Sequence, residues 1–170
     1  MNIKLIGAMC VIIGCGGVGF RMASEHIHHE KVLRQLITVL DYMECELSYR
    51  LTQLPQLCRQ ASQQGKGVIF NLFQEISEEL ENQISPDAEQ CVLAAVAHTE
   101  RVPDTVKELV KQLGRGMGCF DLDGQLQTLR AVREGSEHSL KLFLSNRDSR
   151  LRGYQTLGLC AGAAIVILFI

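Results

Sequence analysis

The chain has 170 residues, 46% of them hydrophobic, with 7 cysteines, no tryptophan and a formal net charge of −2. That charge, with no basic stripe of interleaved aromatics, excludes a strong nucleic-acid footprint. The odd cysteine count without a C-x-x-C spacing excludes a disulfide framework and suits buried, reduced thiols.

The first element is an uncharged run, Leu5 to Phe20, preceded by Lys4 and followed by Arg21. Arg21 and Met22 stand where a signal peptide would carry its small-x-small cleavage site, so residues 1–21 read as an uncleaved transmembrane anchor. Inside it, Gly14 to Gly19 matches G-x-G-x-x-G, the loop that brings backbone amides against a pyrophosphate. With Ile37 to Asp41 as a second strand, this would make a membrane-bound dinucleotide-dependent enzyme. A helical seam crosses that supposed strand, however, and no further β-α units follow. Glycines in a membrane helix more simply let another helix approach closely. Next comes a polar collar, Glu25, His26, His28, His29 and Glu30, which reads as solvated or as a metal site on one helix face.

Residues 22–153 read as one helical domain. After both anchors are removed, about 120 to 130 residues remain, a normal size for a single core. From His26 to Leu51 the apolar residues Leu33, Leu36, Leu40, Met43 and Leu47 make one continuous seam. Pro55 suits the first turn of a short second helix ending near Gly65. A third helix puts Ile69, Leu72, Phe73, Ile76 and Leu80 on one face. Ser85-Pro86-Asp87 opens a fourth, whose stretch Cys91 to Ala97 is apolar all round and is expected at the bundle centre. Pro103-Asp104 starts a fifth, with Val106, Leu109, Val110 and Leu113 inward. Gly114, Gly116 and Gly118 are expected to end it in a turn, at least one with φ > 0. Asp121 is placed to cap a long sixth helix carrying Leu122, Leu126, Leu129, Val132, Leu140 and Phe143. The predicted class is all-α: a six-helix bundle flanked by N- and C-terminal transmembrane helices.

The sixth helix runs into residues 154–170, seventeen residues without a charge. They span about 25 Å as a helix, slightly short of a hydrocarbon core of about 30 Å. Tyr154 at the interface and snorkelling arginines make up the difference. Arg21, Lys31 and Arg34 follow the first apolar segment, and Arg147, Arg150 and Arg152 precede the second. Basic flanks stay in the cytoplasm, so the domain is expected to face it. A soluble adaptor whose apolar tail is core is the rival reading.

No catalytic constellation is legible: His98 and His138 are isolated, and no serine or cysteine stands in a nucleophile motif. No cofactor, metal or small-molecule substrate is expected. One charge pattern stands out. Between Gly67 and Glu100 there is no lysine or arginine, while Glu75, Glu78, Glu79 and Glu81 crowd one helix. This reads either as a solvated face or as a docking surface for a basic cytoplasmic partner.

Leu113-Gly114, Met117-Gly118, Asp121 and Gln125 resemble the L-G-x-x-L-G-x-x-D-x-x-x-Q element of the stage III sporulation protein AB family. The opening Leu5-Ile6-Gly7-Ala8, the Tyr49 to Pro55 stretch and the closing Tyr154, Leu157-Gly158 and apolar tail extend the resemblance over the whole chain. Met117 stands where the family favours leucine and keeps the apolar volume; Gln155 stands where it often has arginine. The resemblance implies a cytoplasmic domain similar to the repeat of the type II secretion platform protein. It further implies a non-enzymatic platform subunit in the outer forespore membrane, within a channel joining mother cell and forespore. Its implied partners are a secretion-type ATPase and other channel subunits, with a homo-oligomer open; no catalytic residues carry over.

Overall fold

A computed structural model of the protein describes residues 27–50, 52–82, 87–117 and 121–169, with side chains as far as residue 145. The described residues form helices and short connections, with no strand among them. After α1 (27–50) come α2 (Leu54–Ser62), α3 (Val68–Asn82), α4 (Ala88–His98), α5 (Asp104–Gly116) and α6 (Leu122–Phe169). The chain divides into two compact units, Glu30–Lys141 and a second made of Met1–His29 with Leu142–Ile170.

The seam read from the sequence is the spine of the Glu30–Lys141 bundle. Leu33, Leu36, Leu40 and Met43 are fully buried, and Leu47 nearly so. This segment is helical throughout, so Ile37 to Asp41 is no strand. Leu57 and Ala61 of α2, Ile69, Leu72, Phe73 and Ile76 of α3, and Val106 and Val110 of α5 close on it. Burying each such side chain contributes roughly 1.5–3 kcal/mol. α2 packs on α3, α3 on α4 and α4 on α5, the neighbour order that short connections favour. Lys66 N–H donates to Gln35 Oε1 at 3.1 Å, fastening the α2–α3 connection to α1. That connection turns at Gly67, whose φ of 58° lies in the left-handed region that costs glycine least.

Ion pairs set the register of α1 against α6. Arg130 Nε lies 2.6 Å from Glu44 Oε1, while Arg133 Nε lies 3.5 Å from Asp41 Oδ1 and 3.6 Å from Glu44 Oε2. Stepping forward on α1 from Asp41 to Glu44 thus steps backward on α6 from Arg133 to Arg130, so the two helices run antiparallel. Beneath the pairs, Leu129 and Val132 are buried against the core.

Two sequence expectations about α4 need correction. α4 is not buried on all sides: Cys91, Val92, Ala95 and Val96 are buried but Leu93 is 39% exposed. An all-apolar stretch has no periodicity to choose a face, and its packing partners, α3 and α5, do not enclose it. α4 begins at Ala88 with Asp87 as its cap, Asp87 Oδ1 accepting from Glu89 N–H at 3.3 Å; Ser85 and Pro86 lie outside the described residues. Of the apolar residues that α6 carries, Leu129 and Val132 are buried while Leu122, in its first turn, is 37% exposed.

Among the described residues no helix is long and apolar enough to cross a membrane. The expected anchors lie elsewhere: residues 1–21, with Gly14 to Gly19, are outside the described residues, and of 154–170 only the helical backbone to Phe169 is described.

Candidate functional site

The acidic residues of α3 do not form one continuous face. Their contacts divide them between two flanks, Glu75 and Glu79 meeting α4 while Glu78 and Glu81 line the side toward α2. Glu75 and Glu79 stand one turn apart on the flank facing α4. His98, in the last turn of α4, brings Nδ1 to 3.4 Å from Glu75 Oε1 and 3.8 Å from Glu79 Oε1. Glu78 and Glu81 lie toward α2. Glu78 Oε1 accepts from Gln74 Nε2 at 3.1 Å, and Glu81 Oε1 lies 3.5 Å from Arg59 Nη1. An open groove of about 410 Å³ runs along this flank, lined by Arg59, Gln63, Phe70, Gln74, Glu78 and Glu81. Phe70, 36% exposed, gives the groove an apolar lip.

Buried hydroxyl and thiol contacts hold α3 between these flanks. Ser77 Oγ donates to Pro55 O at 3.0 Å on the α2 side, and Cys91 Sγ donates to Glu79 O at 3.6 Å on the α4 side. The backbone carrying Glu75 to Glu81 is therefore fixed from both neighbours.

Glu89 of α4, in the same segment without lysine or arginine, has a cationic partner on α5. Arg115 Nε donates to Glu89 Oε1 at 2.8 Å, and this hydrogen bond raises the already high pKa of Arg115 further. Of the run, Glu78 and Glu81 remain the most open to an external cation, Glu81 being 46% exposed beside a long contact to Arg59.

The second candidate element, the turn between α5 and α6, is built differently from the expectation. Gly114 and Gly116 are helical residues of α5, and neither has a positive φ. Gly114 serves a close approach: a Cβ there would stand 2.9 Å from Val92 Cβ. Leu113 and Met117 are buried on either side, which keeps the helix going through the glycines. The helix stops at Met117, whose extended backbone still donates to Leu113 O at 3.0 Å. Gly118 lies outside the described residues. Asp121 caps α6, its Oδ1 accepting from Gly124 N–H at 3.1 Å and its carbonyl from Gln125 N–H at 3.0 Å.

Of the collar, Glu25 and His26 lie outside the described residues, Glu30 pairs with Arg34 at 3.0 Å, and the His29 ring centroid lies 4.7 Å from that of Phe143. The cysteines divide: Cys58 and Cys91 are buried but Cys45 is exposed. Burial pushes the Cys58 thiol up to about 12.

What sequence reading missed is the meeting of His98 with Glu75 and Glu79, the only three-donor group of this kind among the described residues. The pairing of α3 with α4 brings them together: Cys91 opposes Glu79, so the end of α4 returns beside the middle of α3, which the sequence of either helix alone does not show.

The described residues form an all-helical bundle with acidic flanks held by its neighbouring helices, and comparison with known proteins assigns this class to a family. The chain belongs to the stage III sporulation protein AB family, whose model, described as "Stage III sporulation protein AB (spore_III_AB)", matches residues 4–170. Stage III sporulation protein AB of Bacillus subtilis (strain 168) is 25% identical over 171 residues, covering 98% of this chain and 98% of that protein. A solved structure of stage III sporulation protein AB (SpoIIIAB) shares the fold, with a TM-score of 0.63 at 22% identity over 72% of this chain and 98% of that one.

Proposed function

We propose that the protein is a non-enzymatic platform subunit of a secretion-like channel between mother cell and forespore, and that spore formation requires it. The observation that carries this reading is the family match across residues 4–170, which takes in both apolar ends as well as the helical domain. In this reading residues 1–21 and 154–170 are transmembrane anchors in the outer forespore membrane. Residues 22–153 form a domain like that of the type II secretion platform protein, facing the mother-cell cytoplasm. The cation asymmetry supports that orientation, because Arg21, Lys31, Arg34, Arg147, Arg150 and Arg152 all lie on the domain side of the apolar segments.

The partners are a secretion-type ATPase and the other channel subunits, with self-association possible in the same assembly. The flank carrying Glu78 and Glu81 is the docking surface: exposed carboxylates beside an apolar lip attract a basic partner and speed association more than they add affinity. The dinucleotide reading loses its second strand to α1 and is not favoured.

Isolation of the tagged full-length protein from membranes of sporulating cells tests the assignment. The expected result is extraction only with detergent, together with the ATPase and channel subunits. Recovery in the aqueous fraction without detergent would favour the soluble adaptor.

A further inference from the structure

We propose that Glu75, Glu79 and His98 form a binding site for a divalent transition-metal ion, of which zinc best fits the donors. The site is independent of the platform reading. Its three donor atoms come from two packed helices and all lie within 4.8 Å of one another. The imidazole Nδ1 stands 3.4 Å from Glu75 Oε1 and 3.8 Å from Glu79 Oε1. A charge-assisted N–H···O bond would be shorter, about 2.7–2.9 Å. Donors around a tetrahedral zinc stand about 3.4 Å apart, given bonds of about 2.0–2.2 Å. The observed spacing is therefore nearer to the edge of a coordination polyhedron than to a hydrogen bond.

Charge and donor type point the same way. Two carboxylates and an imidazole supply two negative charges to a dication; no lysine or arginine occurs between Gly67 and Glu100, and the one cation lining the depression beside the site, Arg101, is accompanied there by Glu100. The imidazole nitrogen selects zinc and its transition-metal neighbours over magnesium and calcium, which prefer oxygen-only shells. Preorganisation comes from the helices: the Cys91 to Glu79 contact of 3.6 Å and the Ser77 to Pro55 contact of 3.0 Å hold α3 where its carboxylates meet α4. Glu75 and His98 also line an open depression of about 540 Å³ shared with Asn71, Glu100 and Arg101. The fourth vertex thus faces solvent, as in sites that exchange an external ligand, whereas structural zinc sites close all four positions. An ion held there would tie α3 to α4 beside the acidic flank.

The test is calorimetric titration of the full-length protein in detergent micelles with Zn²⁺ alone, repeated with Mg²⁺. One Zn²⁺ per chain is expected, with Mg²⁺ much weaker. His98→Ala and Glu79→Gln should each weaken binding by more than the roughly 10–100-fold that outer-shell changes cost. His28→Ala should leave it unchanged, which separates this site from the collar. His98 is 64% exposed, so its replacement leaves the fold intact; circular dichroism checks this. Zn²⁺ should also raise the melting temperature of the wild type but not of His98→Ala. Absence of saturable binding would overturn the proposal, as would Mg²⁺ binding as tight as Zn²⁺. So would an isotherm unchanged by His98→Ala and Glu79→Gln, or one lost only on His28→Ala.

Discussion

Gly114 of α5 sits so close to Val92 of α4 that a Cβ on the glycine would stand 2.9 Å from the valine Cβ and 3.1 Å from each of its methyl carbons. Val92 is 5% exposed and its Cβ is fixed to the backbone, so it cannot swing aside as the end of a long side chain would. Gly114→Val should therefore push α4 and α5 apart. Overpacking of this kind typically costs about 1–3 kcal/mol, and the roughly 1 kcal/mol that helices gain on losing a glycine offsets part of it for Gly114→Ala. A fragment spanning His29 to Gly153 should melt lower in both variants, with valine the worse. An unchanged melting temperature in Gly114→Val would show that the helices separate freely there.

Asp121 is the cap of α6, accepting from Gly124 N–H at 3.1 Å. Loss of such a cap typically costs about 1 kcal/mol. Asp121→Ala should destabilise the same fragment by about that amount, and Asp121→Asn should restore most of it. Equal melting temperatures for alanine and wild type would mean that the first turn of α6 finds other partners.

Arg133 bridges Asp41 at 3.5 Å, Glu44 at 3.6 Å and Glu137 at 2.8 Å while its side chain is only 29% exposed. Partial burial places its value between that of an exposed pair, about 0–1 kcal/mol, and that of a broken buried pair, about 3–5 kcal/mol. Arg133→Glu should cost more than Arg133→Met, because it sets a carboxylate among three others. Adding Asp41→Arg should recover part of the loss in a double-mutant cycle, and an additive double mutant would dismiss the coupling.

Much of this architecture is legible from helical spacing. The seam from Leu33 to Leu47 is readable because four consecutive steps alternate three and four, and in α3 and α5 the apolar residues likewise recur three or four apart on one face. The Asp121 cap is readable because its chemistry is local. What escapes is whatever depends on two elements together. A glycine looks the same in a turn and in a helix crossing, so Gly114 is told apart only by Val92 opposite it. The apolar run Cys91 to Ala97 hides which side α3 and α5 leave open, and Leu93 shows the answer. The four glutamates look like one patch in sequence and become two flanks once α2 and α4 are in place.

Thiol reactivity should follow burial. Cys45 is exposed, whereas burial pushes Cys58 from an ordinary 9.0 up to about 12. Since the thiolate is the nucleophile, iodoacetamide should label Cys45 in the native protein and spare Cys58 until unfolding. The linkage has a sign. Folding favours the neutral thiol of Cys58, so its contribution is intact below pH 9.0 and is lost progressively as pH rises toward about 12. Site-resolved mass spectrometry decides; equal labelling of both cysteines in the native state would contradict the burial of Cys58.

The α2-facing flank of α3 offers the cleanest test of docking, because its acids can be changed without touching the core or the His98 cluster. Glu78 is exposed and accepts only from Gln74 at 3.1 Å, while Glu81 is 46% exposed and meets Arg59 at a long 3.5 Å. Surface substitutions of this type usually move stability by no more than about 0.5 kcal/mol. Glu78→Lys with Glu81→Lys should therefore leave the melting temperature of the fragment nearly unchanged. The same pair reverses the sign of the groove beside Phe70, so association with a basic partner should slow, and the wild-type association should weaken as salt is raised. In sporulating cells the double variant should be made at normal levels, recover less of the channel subunits on isolation, and yield fewer spores. Normal recovery of partners and normal sporulation, with the folded variant present in the membrane, would mean that this flank is a solvated surface and that docking lies elsewhere on the bundle.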